Sequence, residues 1–204
     1  MNEKETRQIE AYFNDSSIIV YQAFNECIAQ QAVEKQNFLI EGFKASRMTW
    51  IKPSFYWMMH RSGWASKVGQ TNILAVTISR EGFDWALERG CLSHFDSSIH
   101  LSPEVWHDQL LNSPVRIQWD PGRDLDLRPL PQKRAIQIGL TGTAVLYYMH
   151  EWITQIDDIT SHCHRLKSEI DIGKHDSIFP LISLNSLRSY PVHKEVQHRL
   201  GMIN

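Results

Sequence analysis

The sequence predicts an α+β fold, a single domain in which a mostly antiparallel sheet is flanked by helices. Three observations lead to this prediction. Short β-branched runs such as ILAVTIS, at 73–79, are typical of buried strands. Capped segments such as SPEVWHDQLLNS, at 102–113, are typical of helices. The candidate strands after residue 114 follow one another closely, and short connections favour antiparallel pairing over βαβ crossovers.

Length and composition narrow the class of protein. The chain has 204 residues, 42% of them hydrophobic, which suits one globular domain over residues 1–204. A net charge of −2 argues against a protein that is basic throughout, such as a nucleic-acid coat. The polar start MNEKETRQIE holds no secretory signal, and no apolar run is long enough to span a membrane. Three scattered cysteines fit a reducing compartment, so we expect a soluble, cytoplasmic protein with no membrane partner.

The first half of the chain is expected to alternate strands and helices. IIVYQA, at 18–23, is typical of a strand, and the segment that follows it is typical of a helix. Pro53 suits the first turn of the next helix, because its missing N–H is not needed there, and Gly63 is expected to end that helix. A helix after the strand at 73–79 is expected to end at Gly90.

The second half is expected to begin with a small meander. Three strands are predicted, separated by D-P-G and P-L-P turns: VRIQW at 115–119, LDL around 125, and AIQIGL at 135–140. Asp120 and Asp124 flank the Pro-Gly pair, where aspartates usually accept hydrogen bonds from the backbone. TGTAVLYYMHEWITQI is the longest helical candidate. A helical extension over 160–204 is expected to contain two further helices, at about 160–171 and 193–200.

Positive charge is concentrated in one part of the chain. Between residues 42 and 80 there is no aspartate or glutamate, yet six basic residues occur there: Lys44, Arg47, Lys52, Arg61, Lys67 and Arg80. Clustered cations without nearby carboxylates suit phosphate, whether in a nucleotide or in a nucleic-acid backbone. The alternative is that acidic residues from elsewhere in the chain pair with these bases in the fold.

RMTWIKPSFYWMMHRSGW, at 47–64, combines these cations with aromatic rings. If 53–62 is helical, one face is expected to be core, and it contains Phe55, Met58, Met59 and Ser62. Lys52 and Tyr56 fall on another face, and Arg61 lies four residues after Trp57, where a guanidinium can stack on an indole. One helix would thus present cations and rings while burying its other side. The alternative is that the aromatic residues are all core.

CLSHFD, at 91–96, brings a hydroxyl, an imidazole and a carboxylate close together in sequence. A catalytic triad is recognised by geometry, and no G-x-S-x-G elbow is present. His94 is a candidate acid–base or ligand-binding group, the alternative being a loop histidine bonded to the backbone. The ten histidines lack a zinc-binding spacing such as H-E-x-x-H, and we expect no metal. Glycine-rich phosphate loops of the Walker and dinucleotide types are also absent from the sequence.

Several motifs together resemble a known family, labelled domain of unknown function 4291, over about residues 7–159. They are VYQAF, RMTWIKPSFYWMMHRSGW, REGFDWAL, CLSHFD, PVRIQWDPGRDL and AIQIGLTG. The resemblance implies a single-domain soluble protein and names no activity. A weaker, fold-level similarity is to ADP-ribosyltransferase-like proteins, because an early V-Y-Q-A strand is followed by a helix, a basic-aromatic segment and antiparallel strands. That similarity implies NAD as the cofactor.

Mapped onto this chain, the similarity implies roles for particular residues. Tyr21 and Gln22 would lie on the first strand, Arg47 and Lys52 would meet phosphate, and Gln118 would lie on a late strand. Our leading hypothesis is therefore an enzyme that acts on a nucleotide-like phosphate ligand, as an NAD-using transferase does. Its candidate catalytic residues are Gln118, His94 and Tyr21. Its candidate ligand-binding residues are Gln22, Arg47, Lys52, Tyr56, Trp57 and Arg61.

Two other functions fit the same segment. A nucleic-acid-binding module without catalysis would use the same cations and rings on a strand of RNA or DNA, and its affinity would fall steeply with salt. An interaction scaffold would bury 47–64 in its core and pair the bases with acidic residues. The sequence predicts no oligomeric state.

Overall fold

The computed structural model describes residues 5–173 and 187–202. These residues form ten strands: β1 Thr6–Arg7, β2 Glu10–Tyr12, β3 Ser17–Phe24, β4 Thr49–Ile51, β5 Asn72–Ser79, β6 Gly90–Leu92, β7 Val115–Arg123, β8 Pro129–Leu140, β9 Ile153–Asp158 and β10 Leu187–Ser189. They also form seven α-helices: α1 Glu26–Lys35, α2 Phe55–Ser62, α3 Arg80–Glu88, α4 Pro103–Asn112, α5 Thr143–Tyr147, α6 Thr160–Asp171 and α7 Lys194–Arg199. The predicted α+β class is confirmed.

The strands make three sheets. The largest has the order β1-β8-β7-β6, and β4 pairs with the C-terminal end of β8. A second sheet has the order β3-β5-β9, and β10 pairs with β2 in the third. Pairing is antiparallel except between β1 and β8 and between β6 and β7. The expectation of mostly antiparallel pairing therefore holds.

Apolar side chains at alternate positions of the strands form a hydrophobic core between the two larger sheets. Ile18 and Val20 of β3 are fully buried there, as are Ile117 of β7 and Ile138 of β8. Because successive side chains of a strand point to opposite faces, the residues between these positions face elsewhere. A second apolar cluster, which includes Tyr21, lies against α2 and α6. The sheet of β3, β5 and β9 is thus covered on both faces.

Sequence signals for helix ends were mostly reliable. Ser102 caps α4 and accepts a hydrogen bond from the Val105 N–H, with Pro103 in the first turn as predicted. Gly63 ends α2 in the left-handed conformation, with φ of 61°. The placement of Pro53 in the first turn of α2 was wrong, because Ser54 is the N-cap and Pro53 precedes it.

The prediction for Gly90 was right in position and wrong in reason. Gly90 follows the cap residue of α3 but does not adopt a left-handed conformation, and it begins β6. A Cβ atom at Gly90 would lie 2.6 Å from Cγ1 of Ile117. The position therefore needs glycine because two strands pack closely there.

Two predictions between residues 115 and 158 were wrong. The D-P-G and P-L-P motifs lie inside β7 and β8, and LDL lies in the turn between these strands. The β7–β8 register shifts between Pro121 and Gly122, which accommodates the proline within the ladder. The long helix predicted around 141–156 divides into α5, a π-helical turn over Tyr148–Trp152, and β9. The last part pairs with β5, so tertiary pairing overrides the helical pattern.

The C-terminal residues belong to the same core. The two predicted helices, α6 and α7, are present. Leu200 is fully buried, and its carbonyl accepts a hydrogen bond from Nε1 of Trp119 at 2.9 Å. Tyr190, just after β10, packs edge-on against Phe83. The part of the predicted extension at 174–186 lies outside the described residues. No helix within the described ranges has both the length and the apolar character needed to cross a bilayer.

Candidate functional site

A cavity of about 610 Å³ opens where β4 meets both larger sheets. Its walls include five residues that the sequence predicted: Gln22, Lys52, Trp57, Arg61 and Gln118. They come from β3, the residue after β4, α2 and β7; β3 and β7 are distant in the chain from each other and from the β4–α2 segment. We refer to this cavity as the Lys52 pocket.

β4 builds the pocket by joining the two sheets. The Tyr21 N–H of β3 donates to the Lys52 carbonyl at 2.7 Å, and on the other side Trp50 pairs with Gly139 of β8. A Cβ atom at Gly139 would lie 3.0 Å from Cη2 of Trp50 and 2.6 Å from Sδ of Met48. Glycine therefore lets the Trp50 indole lie on β8, where it forms part of the pocket wall.

Lys52 is the unusual residue of the pocket. Its side chain is 8% exposed, and Nζ donates to the Trp50 carbonyl at 2.9 Å. Within the described ranges, no carboxylate forms an ion pair with it. The pKa of Lys52 is lowered to about 7: burial makes the largest contribution, the charge of Arg61 adds to it, and Asp120 opposes them. Buried lysines of this kind are candidates for chemistry.

A carboxylate lies in the pocket on β7. Asp120 accepts hydrogen bonds from Nε2 of Gln118, at 3.1 Å, and from Nε2 of Gln137. The role expected for Asp120, as a turn residue that accepts backbone donors, was wrong, because the residue belongs to the β7 ladder opposite Ala135. Asp124 does take that role, accepting from the Arg128 N–H at 2.8 Å.

Sequence reasoning missed Asp120, Gln137 and Trp50. The signal for the first two was available, since Gln118 and Asp120 are two residues apart and share a strand face. Gln137 interrupts the apolar run AIQIGL and lies directly opposite Gln118. A polar residue in a buried strand was the indication that this face lines a cavity. Nothing in the sequence marked Trp50 as the tryptophan of the pocket wall.

Gln22 has a structural role in the floor of the pocket. Its Oε1 accepts from the Tyr148 hydroxyl at 2.6 Å, while Nε2 donates to Thr49 Oγ1 at 3.0 Å and to the Trp50 carbonyl at 3.2 Å. Both amide hydrogens are therefore used within the protein. Gln22 positions β4, and its amide has no donor left for a ligand.

α2 presents the pocket with one indole and one guanidinium. The predicted core face of this helix is confirmed, with Phe55, Met58, Met59 and Ser62 all buried. Trp57 and Arg61 turn towards the cavity, and Arg61 is exposed at its edge. The predicted stacking of Arg61 on Trp57 is not formed; the indole makes an edge contact with the His60 ring instead.

Four predicted residues lie outside the pocket. Tyr21 points to the opposite face of β3, where it contacts Phe55, and burial raises its pKa. Tyr56 lines a separate cavity of about 60 Å³, where burial raises the pKa of its hydroxyl to about 12. Arg47 is exposed in the loop before β4. His94 is exposed and hydrogen-bonded to the Ser93 hydroxyl at 3.0 Å.

CLSHFD does not assemble a triad. The Asp96 carboxylate accepts hydrogen bonds from Arg7 and from Ser98, and the His94 ring is hydrogen-bonded to its neighbour Ser93 and, among the described residues, not to Asp96. Within residues 5–173 and 187–202, no group of three histidine, cysteine, aspartate or glutamate side chains is arranged to hold a metal ion.

The six cations of residues 42–80 do not form ion pairs with carboxylates in the described parts of the chain. Lys67 donates to the carbonyls of His60 and Arg61 at the C-terminal end of α2. Arg80 donates to the Tyr190 hydroxyl and to the Asn14 carbonyl. The scaffold hypothesis, which requires these bases to be neutralised by acidic partners, is therefore not supported by the described residues.

The chain belongs to the family described as Domain of unknown function (DUF4291), whose model matches residues 8–186. This match confirms the resemblance that the motifs between residues 7 and 159 indicated, and it includes every residue of the Lys52 pocket. A search of curated proteins found no match. The similarity to ADP-ribosyltransferase-like proteins stays a prediction.

Proposed function

We propose that the chain is an enzyme whose Lys52 pocket binds a small phosphate-containing ligand with a planar ring, as in a nucleotide. The observation that carries this proposal is the placement of two basic residues, Lys52 and Arg61, at one cavity of about 610 Å³, neither of them in an ion pair with a carboxylate of the described residues. That volume is within the range of about 300–1,000 Å³ that is usual for small-molecule sites. The polar side chains that line the Lys52 pocket can orient the bound ligand through hydrogen bonds.

Different residues of the pocket are suited to different parts of the ligand. Arg61, exposed at the edge, is suited to phosphate, because a guanidinium donates two parallel hydrogen bonds to an oxyanion. Trp50 and Trp57 offer apolar surface for a planar ring. Gln118 and Asp120 on β7 provide an amide and a carboxylate to orient the reacting group.

Catalysis, rather than binding alone, is favoured by two titratable groups in the pocket. Lys52 is buried with a lowered pKa, and the charge of Asp120 acts on it. A lysine with a lowered pKa in a cleft is typical of active sites. NAD is the first cofactor to test, because an NAD-using transferase needs a polar group beside the ribose and β7 carries both Gln118 and Asp120 into the pocket.

A ligand screen tests the proposal. We expect NAD, ADP-ribose, ATP or GTP to raise the melting temperature at low salt, because binding to the native state stabilises it by mass action. Arg61→Ala should weaken that ligand's binding about tenfold to a hundredfold, the effect of losing a charge-assisted hydrogen bond of roughly 1.5–3 kcal/mol. Isothermal titration calorimetry measures the change.

Arg47→Ala is the matched control, since Arg47 belongs to the same basic segment but lies outside the pocket. Its affinity for the ligand should equal that of the wild type. Equal losses in both variants would contradict the pocket assignment, and no shift with any nucleotide would contradict the ligand class. Binding confined to oligonucleotides, with a steep loss of affinity on adding salt, would support the nucleic-acid-binding module instead.

A further inference from the structure

We propose that Lys52 is a nucleophilic amine that forms an imine with an aldehyde or ketone group of the ligand. This inference rests on the proposed function, because it takes the ligand's phosphate to be held by Arg61. It goes further by naming the reacting group of the protein and the chemical class of the substrate, a carbonyl compound that carries phosphate.

The geometry around Nζ favours a neutral amine. An ammonium group has three N–H donors, and the protein group that accepts from Lys52 in the described residues is the Trp50 carbonyl at 2.9 Å. A buried ammonium with one protein acceptor and no carboxylate partner is costly. A neutral amine keeps the bond to Trp50 and retains a lone pair for the cavity.

The net effect of burial and the surrounding charges also favours the neutral amine. Burial makes the largest contribution to the lowered pKa of Lys52, and the Arg61 guanidinium from α2 adds to it. Asp120 from β7 acts against both without restoring the ordinary value of 10.5. Gln118 and Gln137, the other polar side chains on that wall, are uncharged. Near pH 7 a substantial fraction of Lys52 is therefore the free base, the form that attacks carbonyl groups.

The reaction consumes one carbonyl group and releases one water. The Nζ lone pair adds to the carbonyl carbon, the carbonyl oxygen takes up a proton, and nitrogen loses one, giving a carbinolamine. Proton transfer to the carbinolamine hydroxyl lets it leave as water while the nitrogen lone pair forms the C=N bond. Asp120 is the carboxylate in the pocket that can carry protons between these atoms. No oxidant or reductant is required.

Reductive trapping tests the inference. Pyridoxal 5′-phosphate is a suitable probe, because it combines an aldehyde, a planar ring and a phosphate. The full-length protein would be treated with limiting probe from pH 6 to pH 10, reduced with borohydride and examined by peptide mass spectrometry. We expect Lys52 to be labelled with a midpoint near pH 7 and, at pH 7, faster than the exposed Lys44 and Lys67, which lie outside the pocket.

Variants identify the site of labelling and the role of phosphate. Lys52→Arg should remove the adduct from its peptide and leave the labelling of Lys44 and Lys67 unchanged. Arg61→Ala should reduce labelling of Lys52 by the phosphate probe at least tenfold, and labelling by pyridoxal, which lacks phosphate, by much less, through the lost effect of the Arg61 charge on the pKa of Lys52. Labelling of Lys52 no faster than that of Lys44 and Lys67 at pH 7 would overturn the inference. With that result, the proposed function would still hold if calorimetry shows that the protein binds nucleotides. If calorimetry shows no nucleotide binding, both the inference and the proposed function would be overturned.

Discussion

The Lys52 pocket and the Asp96 loop differ in how the protein satisfies a charge. Asp96 accepts hydrogen bonds from Ser98, through Oγ at 2.6 Å and the backbone N–H at 3.0 Å, and from the Arg7 guanidinium at 3.3 Å. These donors lower the pKa of Asp96, Ser98 most of all. Lys52 is more deeply buried, and in the described part of the chain its ammonium or amine group has one carbonyl as its partner. A charge is stabilised in the loop and disfavoured in the pocket.

The contrast separates a structural cluster from the one proposed to be functional. A satisfied charge contributes to folding, whereas a buried unsatisfied one reduces stability and is retained where activity needs it. In the sequence, CLSHFD was the motif with candidate catalytic groups, whereas VRIQWDPG was interpreted as a strand followed by a turn. In the structure, Asp96 stabilises a loop through its ion pair with Arg7, whereas Asp120 lines the Lys52 pocket.

The largest expected effect is on the pH dependence of stability. The pKa of Lys52 is about 7 in the folded protein and close to 10.5 when unfolded, so between these values the unfolded chain binds more protons. Stability should therefore rise with pH across this interval, by at most about 1.4 kcal/mol per pH unit. Lys52→Met should abolish this component and be more stable than the wild type at pH 7, by roughly 2–4 kcal/mol.

Urea unfolding of both proteins at pH 7, 8 and 9 makes the measurement. Subtracting the free energies of unfolding of the two proteins removes the contribution of other groups that titrate in the same range. This difference should become smaller as the pH rises. A constant difference would show that the pocket does not disfavour the charged form.

A smaller effect, a loss of folding stability, is expected when the floor of the pocket is disturbed. Tyr148→Phe removes the hydroxyl that donates to Gln22 and leaves a buried Oε1 without a donor, which costs roughly 1–3 kcal/mol. Tyr147→Phe is the matched control, because Tyr147 is the adjacent residue and is partly exposed. Thermal and urea unfolding should show the loss in the first variant alone. Equal stability of the two variants would argue against Gln22 as the brace of β4.

The smallest effect is expected in the Asp96 loop. Asp96→Asn should cost about 1 kcal/mol at pH 7, since partly exposed ion pairs contribute little. Because the folded-state pKa of Asp96 is lowered, this contribution is present above the ordinary carboxyl value of 3.8 and is lost as pH falls below it. The exposed Asp108 on α4 supplies the control Asp108→Asn. Urea unfolding should show a smaller difference at pH 3 than at pH 7; an equal loss at both pH values would point to packing instead.

Local signals predicted most of the elements. The N-cap at Ser102 and the left-handed Gly63 mark ends that depend on a few neighbouring residues, and both were placed correctly. β9 was missed because its alternation follows directly on a helical segment, and pairing with β5 decides the outcome. The turn before β8 was misplaced because Pro121 was taken to break a strand that accommodates it at a register shift.

The pocket itself was predictable only in part, for a physical reason. Charge counting located the basic segment, but it could not separate Arg47, which is exposed, from Lys52 and Arg61, which share a cavity. That separation depends on strand pairing across distant parts of the chain. Helical periodicity correctly divided α2 into a core face and a second face, yet it could not show that Trp57 faces the cavity while Tyr56 does not.

The position of β4 also determines when the pocket forms. This short strand is held by Tyr21 on one side and by Gly139 on the other, two residues that are remote from it in sequence. Closing such long loops is entropically costly, so contacts of this kind are slow to form during folding. The pocket exists only after both sheets have docked on β4. An incompletely folded chain therefore leaves Lys52 in water as an ordinary ammonium, and the lowered pKa of Lys52 is a property of the folded molecule alone.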